Sequence, residues 1–314
     1  MHTGRHDAHD QGLRQIAIAR SRMSAIQYVA TGPRDAPALM LLHALGANHH
    51  MWDACTTALS RRFTVVACDL RGAGDSPAAG RPWTPEDHVR DVEEVRAELG
   101  LEHVIPIGCA VGAVLAACYA HRYPRHVKGL VLCGPTLRID ASDSALIAER
   151  TAAIRQRGMG SLVPAAIDRA FDSLPKDERY EAYTRIFLSH DPIGYASIAE
   201  GVVGVSLHSM LREIKAPTLV VVGKHDVIFP PEVAKKVHQL LQLSELSVLT
   251  NAAHFPPFQD PAGFASAVLD FLSKHRLDAG AQDDPTPIGL TQFPSGSFGT
   301  PDKLHCKGVV GSPD

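Results

Sequence analysis

The sequence predicts an α/β fold: a mostly parallel, eight-stranded sheet with helices on both faces. Short apolar runs alternate with stretches of helical periodicity, and this order is typical of a parallel sheet. Several runs are continuously apolar, as expected for strands covered on both sides. Between residues 141 and 211 only helical periodicity occurs, which predicts an insertion after the first part of the sheet.

Two short antiparallel strands are predicted first, followed by a break at Thr31-Gly32-Pro33. Pro106 lies inside a later strand, and because it has no N–H for the ladder we expect a local irregularity there. In chain order, the predicted strands are 16–19, 23–29, 38–42, 63–68, 103–107, 127–133, 218–222 and 246–249.

Helices are predicted between these strands. The clearest helix start has Thr84 as N-cap, Pro85 at the first helical position and the carboxylate of Asp87 three residues after the cap. The predicted helices outside the insertion are 50–59, 84–99, 110–123, 231–241 and 261–275.

The chain divides into four parts by composition and periodicity. The core is predicted at 14–138 and 212–276. Residues 139–211 are expected to form about four helices, broken near Gly158, Pro164, Pro175 and Pro192, that act as a lid over one end of the sheet. The polar, His-rich leader 1–13 and the tail 277–314, rich in Pro, Gly, Ser and Asp, are expected to be disordered.

Composition excludes several classes of function. A net charge of −3 argues against a nucleic-acid surface or a basic membrane-binding face. No apolar run approaches the ~20 residues of a membrane helix, and the N-terminus lacks the apolar core of a signal peptide. We therefore expect a cytoplasmic protein. Its six cysteines contain no C-x-x-C pair, which favours buried free thiols over disulfides or a zinc site. No metal or organic cofactor is implied.

One motif points to chemistry. The apolar run that ends at Gly108 is followed by a small-residue helix, and Gly108-Cys109-Ala110-Val111-Gly112 fits the G-x-nucleophile-x-G frame of a nucleophile elbow. Glycines two before and two after the turn leave room where a Cβ would not fit. The turn residue is Ala110, which has no attacking group. A serine-to-alanine replacement in a hydrolase would leave the same sequence.

Five motifs together resemble those of the α/β-hydrolase superfamily, over roughly residues 14–275. They are His43-Ala44-Leu45-Gly46, Asp69-Leu70-Arg71-Gly72-Ala73-Gly74-Asp75-Ser76, the elbow frame, Gly223-Lys224-His225-Asp226 and Asn251-Ala252-Ala253-His254-Phe255-Pro256. Within the superfamily, the turn 69–76 and the stretches 149–159 and 192–217 resemble the 3-oxoadipate enol-lactonase group. The resemblance implies the α/β-hydrolase fold, with a small-molecule substrate and no cofactor.

The resemblance also implies roles for individual residues. His254 is expected to act as general base or acid, with Asp226 holding its other ring nitrogen; capping of the helix after Pro230 is the alternative for Asp226. Leu45 and Val111 are expected to supply backbone N–H groups to an oxyanion hole, which the Ala110 change leaves intact.

Cys109 is the candidate substitute nucleophile. If it were the turn residue, β-branched side chains would stand where the elbow needs glycine. Side chains also alternate along a strand, so Cys109 should point away from the site. A buried packing thiol is the alternative. His43 is expected to bond nearby backbone. Aromatic and Met side chains that either line a pocket or pack in the core are Met51, Trp52, Phe171, Tyr183, Phe187 and Tyr195.

Three functions fit these residues. The first is hydrolysis of a small ester or enol-lactone, with His254 activating water because Ala110 removes covalent catalysis. The second is cofactor-free chemistry that needs a base but no nucleophile, such as a lyase or isomerase reaction. The third is ligand binding without catalysis on a hydrolase scaffold.

Overall fold

The computed structural model describes residues 25–78, 81–139 and 141–279, and within them seven strands form one sheet. The strands are β1 (Tyr28–Thr31), β2 (Ala38–Leu42), β3 (Thr64–Cys68), β4 (Val104–Cys109), β5 (Leu130–Cys133), β6 (Thr218–Gly223) and β7 (Ser244–Leu249). Their order is β1-β3-β2-β4-β5-β6-β7; β1 is antiparallel to β3 and every other neighbouring pair is parallel. The prediction of a mostly parallel sheet is confirmed on the seven strands that the structure describes. The remaining predicted strand, 16–19, lies outside the described residues.

Helices follow the strands as the alternation predicts. They are α1 (Asp53–Leu59), α2 (Pro85–Glu98), α3 (Val111–Arg122), α4 (Ala141–Arg157), α5 (Ala165–Ala170), α6 (Glu178–Leu188), α7 (Pro192–Gly201), α8 (His208–Glu213), α9 (Pro231–Leu240), α10 (Pro256–Gln259) and α11 (Pro261–Lys274). The predicted start of α2 is confirmed, because the Thr84 side chain accepts from Asp87 N and the Asp87 side chain accepts from Thr84 N. A 3-10 turn, His49–Trp52, precedes α1.

The continuous apolar runs are buried on both faces of the sheet. In β2, Leu39 and Leu41 belong to one core cluster, and Met40 and Leu42 belong to the other. Helices α2, α3 and α9 cover the second face, and α1 and α11 cover the first. Burial on two sides therefore explains why this strand reads as apolar at every position.

The irregularity expected at Pro106 is confirmed. Ile107 pairs with Val131 in the β4–β5 ladder, whereas an isolated bridge pairs Val104 with Val127. Between these two pairings β4 advances by three residues and the facing segment by four, so the ladder is interrupted. The interruption lies beside Pro106, which has no N–H to donate.

The first described strand begins later than predicted. Residues 23–29 were expected to be extended with a break from Thr31, but β1 runs from Tyr28 to Thr31, and Thr31 still pairs with Val65. The chain turns only at Gly32, whose φ of +93° suits glycine.

The segment between β5 and β6 is helical, as predicted. Gly158 and Pro164 separate α4, a 3-10 turn (Met159–Leu162) and α5. Helix α6 begins after Asp177, whose side chain caps it, rather than at Pro175, and Asp191 caps α7 in the same way. Whether this segment acts as a lid stays a prediction.

The described chain ends in a packed segment. Leu277 packs against the core and Asp278 forms an ion pair with Arg62 at 2.8 Å. The predicted leader and residues 280–314 of the predicted tail lie outside the described residues. No helix in the described part of the chain has the length and apolar character that crossing a bilayer requires.

Candidate active site

The turn between β4 and α3 is a strained elbow, as the glycine spacing predicts. Ala110 alone separates the strand from the helix and has φ 51° and ψ −111°, a region that L-residues rarely adopt. A Cβ on Gly108 would meet the carbonyl oxygen of Gly112 inside van der Waals contact, and a Cβ on Gly112 would meet that of Leu42. Both glycines are therefore required by close backbone approach.

The elbow presents only a methyl group to its surroundings. Ala110 is buried and lines a cavity of about 220 Å³. Its backbone N–H donates to the carbonyl of Cys133 at 2.9 Å, which fixes the turn against β5. The position that would hold a nucleophile thus faces the cavity without one.

Cys109 lies on the other side of the backbone. Its side chain is fully buried in the core cluster that contains Cys55 and Cys133, and its Sγ lies 4.0 Å from the carbonyl oxygen of His254. Cys109 is not among the described residues that line the cavity. The packing-thiol interpretation therefore fits the structure better than the nucleophile interpretation. All five cysteines in the described ranges are free and buried.

His254 and Asp226 are hydrogen-bonded, as the motif order predicts. Nδ1 of His254 lies 2.9 Å from Oδ2 and 3.1 Å from Oδ1 of Asp226, and both residues are buried. A carboxylate only accepts, so the proton of the neutral imidazole lies on Nδ1 and leaves Nε2 as an acceptor. In the part of the chain that the structure describes, Nε2 has no hydrogen-bond partner, and His254 lines the cavity.

Backbone donors fix the carboxylate. Oδ1 of Asp226 accepts from Ile228 N at 2.8 Å and from Phe229 N at 2.9 Å. The cap at the start of α9 is Pro230, without a side-chain bond, so Asp226 does not cap that helix. The alternative interpretation of Asp226 is therefore wrong, because its donors come from its own loop.

The two expected oxyanion donors lie at the same cavity. Leu45 and Val111 both line it, and neither backbone N–H has a hydrogen-bond partner among the described residues. Val111 is the first residue of α3, where a helix leaves its N–H free. His43 has the structural contacts expected of it: Leu70 N donates to its Nε2 at 2.9 Å, and its Nδ1 lies 2.8 Å from the carbonyl of Ala44.

Sequence reasoning missed Gln259, a buried residue behind His254. Its Oε1 accepts from Ala253 N and Phe255 N, both at 2.9 Å, and its Nε2 donates to the carbonyl of Ala170 at 2.8 Å. His254 N also donates to that carbonyl at 3.3 Å. Gln259 therefore joins the histidine loop to α5, and no local pattern in the sequence signals this.

The cavity has mostly apolar walls, drawn largely from the helical segment between β5 and β6. Of the six aromatic and Met candidates, Tyr183, Phe187 and Tyr195 line it. The other three, Met51, Trp52 and Phe171, pack in the core instead. The lining residues are Leu45, Ala110, Val111, Ile139, Leu146, Ile147, Arg150, Ala166, Ile167, Arg169, Ala170, Tyr183, Phe187, Tyr195, Ala199, Val202, Ile228, Phe229, His254 and Phe255.

A larger cavity, of about 530 Å³, lies at the amino-terminal ends of the strands, near the starts of β2 and β4. We assign the smaller one as the candidate site, because only the carboxyl ends of parallel strands bring the elbow and His254 together. Within the described ranges, no group of three or more His, Cys, Asp or Glu side chains is arranged to hold a metal ion.

Comparison with known proteins identifies the family. The family model described as the alpha/beta hydrolase fold matches residues 37–261. The chain belongs to the α/β-hydrolase family. The predicted fold class is thereby confirmed, on the seven strands that the structure describes.

Solved structures similar to this chain include an esterase and an enol-lactonase. The chain is 28% identical to a thermophilic esterase from Thermogutta terrifontis, with a TM-score of 0.75 and coverage of 80% of this chain and 93% of that one. It is also 28% identical to the enol-lactonase from Burkholderia xenovorans LB400, with a TM-score of 0.75 and coverage of 79% and 96%.

The resemblance to enol-lactonases is also found among curated relatives. The 3-oxoadipate enol-lactonase 1 of Acinetobacter baylyi is 23% identical over 263 residues, which cover 83% of this chain and 97% of that protein. This α/β-hydrolase therefore resembles esterases and enol-lactonases in sequence and in structure.

Proposed function

We propose that this α/β-hydrolase hydrolyses a small ester or enol-lactone, with water as the nucleophile and His254 as general base. The observation that carries the proposal is the contrast between two groups at one cavity. His254 lines the cavity with its Nδ1 bonded to the buried Asp226, which leaves Nε2 as the acceptor, whereas Ala110 offers only a methyl group. In this proposal, His254 and Asp226 move protons, the backbone N–H groups of Leu45 and Val111 stabilise charge, and only the covalent nucleophile is missing.

A bound water can take the place of the missing hydroxyl. Alanine lacks the γ-oxygen of serine, and we propose that a water in the cavity that Ala110 and His254 both line takes its place. A general base must lie within hydrogen-bond distance of the proton that it removes. Nε2 is the free acceptor at this point, because Asp226 holds the proton of the ring on Nδ1.

In the proposed reaction, the water oxygen attacks the carbonyl carbon while Nε2 takes one of its protons. The carbonyl electron pair moves onto oxygen, where the N–H groups of Leu45 and Val111 donate to it. Asp226 stabilises the imidazolium. The bond to the leaving oxygen then breaks, and the proton on Nε2 passes to that oxygen. An ester gives an acid and an alcohol; an enol-lactone gives an acid and an enol that becomes a ketone.

The expected rate is low. Hydrolases that lose one member of the triad retain about 10³–10⁴-fold catalysis over water from the remaining site. We therefore expect turnover well above background but far below that of a serine hydrolase. Ala110→Ser should raise the rate and introduce an acyl intermediate.

The test is hydrolysis of p-nitrophenyl acetate and of α-angelica lactone, a small enol-lactone, by the chain and by three variants. We expect activity that disappears in His254→Ala, is unchanged in Cys109→Ala and rises in Ala110→Ser. Activity that survives His254→Ala, or that is lost in Cys109→Ala, contradicts the proposal. No turnover in any variant, together with tight ligand binding, identifies a binding protein instead.

A second function is favoured specifically by Ala110. A reaction that needs only proton removal next to a carbonyl would use His254, Asp226 and the two free N–H groups and would need no nucleophile. It is distinguished by deuterium uptake at the α-carbon of a ketone such as 2-hexanone in D₂O. Uptake that requires His254, without ester hydrolysis, would favour this alternative.

The remaining assignments follow from the same observations. We propose a core at 14–138 and 212–276 and a lid at 139–211, supported by the share of the cavity wall that this helical segment supplies. We propose a small-molecule substrate because the cavity is small. A cytoplasmic location is supported by the free thiols, which persist in reducing compartments; cell fractionation tests it.

A further inference from the structure

The N–H of Leu45, an expected oxyanion donor, lies in a tight turn that follows β2. Ala47 N donates to the carbonyl of Ala44 at 3.1 Å, and Gly46, the third residue of this turn, has a φ of +77°. A type II turn requires a positive φ at that position, which glycine adopts without strain. We call residues 44–47 the oxyanion turn, because its geometry decides where the Leu45 N–H points.

One face of α6 covers the oxyanion turn. Tyr183, Phe187 and His190 are spaced four and three residues apart, so they follow one another along the same side of this helix and past its C-terminal end. A Cβ on Gly46 would lie 2.7 Å from the ring of Phe187, and the hydroxyl of Tyr183 donates to the carbonyl of Leu45 at 3.5 Å. The turn therefore packs directly on a helix of the segment between β5 and β6.

His190 makes the shorter hydrogen bond from this face to the turn. Its Nε2 lies 2.9 Å from the carbonyl oxygen of Ala47, and the residue is only 6% exposed. Its Nδ1 lies 3.0 Å from the carbonyl of Ile186, which already accepts from Ser189 N at 3.2 Å and from Ser189 Oγ at 2.7 Å. A neutral imidazole carries a single N–H, so we place it on Nε2, where it donates to the turn.

His190 acts on the site only through the turn. It is not among the described residues that line the candidate cavity, whereas Leu45 is. Ala47 is fully buried, and a buried carbonyl that loses its donor costs free energy. Without the ring of His190 the turn would therefore shift, and because it is only four residues long the shift would also move the Leu45 N–H. An oxyanion donor stabilises the transition state only when it points at the developing charge.

We propose that His190 is a positioning residue: its bond to the Ala47 carbonyl holds the oxyanion turn against α6 and so directs the Leu45 N–H at the developing oxyanion. The donor is then in place only while α6 packs on the turn, which couples oxyanion stabilisation to the helical segment that supplies much of the cavity wall. This inference rests on the proposed function, which gives the Leu45 N–H its role. Hydrogen exchange of the turn needs no substrate, so it tests the inference separately from hydrolysis.

The test compares two substitutions of His190 that differ in one donor. His190→Gln keeps an N–H near the position of Nε2, whereas His190→Met has a similar length and no donor. The control is His126→Met, because Nδ1 of His126 also lies 2.9 Å from a backbone carbonyl, that of Glu102, but near the start of β4 and away from the candidate site.

Two measurements are made on each variant. Amide hydrogen exchange is followed by NMR without ligand at two N–H groups: that of Ala47, which closes the turn, and that of Ala110, which donates to Cys133 and serves as an internal reference. The kcat and KM for p-nitrophenyl acetate are then measured with the same variants combined with Ala110→Ser, in which turnover does not depend on a bound water.

We expect His190→Met to speed exchange at Ala47 by roughly ten-fold or more, as for a buried carbonyl that loses its donor, and to leave Ala110 within about two-fold. It should lower kcat by roughly ten-fold at a nearly constant KM, which is less than the ~10²–10³-fold effect of losing an oxyanion donor outright. His190→Gln should restore both values to within a few-fold, and His126→Met should change neither.

The proposal is overturned if exchange at Ala47 is the same in His190→Met as in the unchanged chain, if Ala47 and Ala110 accelerate equally, or if His190→Gln behaves like His190→Met. Faster exchange at Ala47 with an unchanged kcat would also overturn it, because the turn would then not set the donor. If no ester is hydrolysed even with Ala110→Ser, the proposed function fails, and the exchange results alone decide whether His190 holds the turn.

Discussion

Gln259 holds the backbone on both sides of His254, because its Oε1 accepts from the residues directly before and after the histidine, each at 2.9 Å. Its amide nitrogen and the backbone N–H of His254 share one acceptor, the carbonyl of Ala170. The loop of the proposed base is thus fixed by a side chain that does not touch the cavity.

Gln259→Met should displace His254 while keeping the volume of the side chain. It leaves two buried N–H groups without an acceptor, each costing about 1–3 kcal/mol, so we expect a lower Tm and a lower kcat for ester hydrolysis with little change in KM. The control is Gln242→Met, because Gln242 is exposed and bonds only the carbonyl of Arg212. Equal effects of the two variants would contradict the positioning role of Gln259.

Asp226→Asn should abolish activity without unfolding the protein. The amide oxygen of Asn can still accept from Ile228 N and Phe229 N, but its NH₂ group would donate to Nδ1 of His254. The ring proton would then move to Nε2, which could no longer accept a proton from water. We expect kcat to fall by about 10²–10⁴-fold, with a nearly unchanged circular dichroism spectrum. Retained activity would show that Asp226 does not set the tautomer.

Gly112→Ala should destabilise the elbow severely. The added Cβ would overlap the carbonyl oxygen of Leu42 in β2, and neither backbone segment can move without breaking the sheet. We expect a loss of about 3 kcal/mol in the free energy of unfolding, at the upper end of the ~1–3 kcal/mol that overpacking a rigid core typically costs. Gly160→Ala is the matched control, because a Cβ there meets nothing within 4 Å. Urea unfolding that gives similar values for the two would refute the close approach.

His88 should make the fold sensitive to acid. Both ring nitrogens are buried without hydrogen bonds, and burial, aided by the charge of Arg71, lowers the pKa of His88 from 6.5 to about 4. Because the unfolded chain takes up this proton near pH 6.5 and the folded chain does so only near pH 4, stability falls as the pH drops between these values. The loss reaches about 3 kcal/mol at pH 4.

His88→Leu should remove this contribution. Urea unfolding at pH 7, 6, 5 and 4.5 should give a flatter dependence for the variant than for the unchanged chain. His43, whose pKa burial also lowers to about 4, remains in both proteins and supplies a common background. Parallel curves would mean that His88 is not a source of acid sensitivity.

The elbow could be predicted from the sequence because its determinants are local. Gly108 and Gly112 stand at fixed distances from the turn, and the structure shows that each is required by a backbone oxygen that would meet its Cβ. The bond between Asp226 and His254 followed from the family order of motifs. The unusual residue of the frame, Ala110, was visible directly.

The rest depends on packing between distant segments. Arg150 faces the cavity because α4 lies against α7, and the register of that contact cannot be read from helical periodicity alone. Gln259 looks like an ordinary residue of a short helix, yet its bonds join the histidine loop to α5. For the same reason, Trp52 and Phe171 could not be assigned to core or cavity in advance.

The central claim is that hydrolysis proceeds without a covalent intermediate, through water and His254. It is tested most directly by the intact mass of the protein, measured after acid quenching during turnover of p-nitrophenyl acetate. We expect the unmodified mass for the chain, and an added acetyl group for Ala110→Ser. An acetyl adduct on the unchanged chain that forms and decays at the rate of turnover would contradict the account.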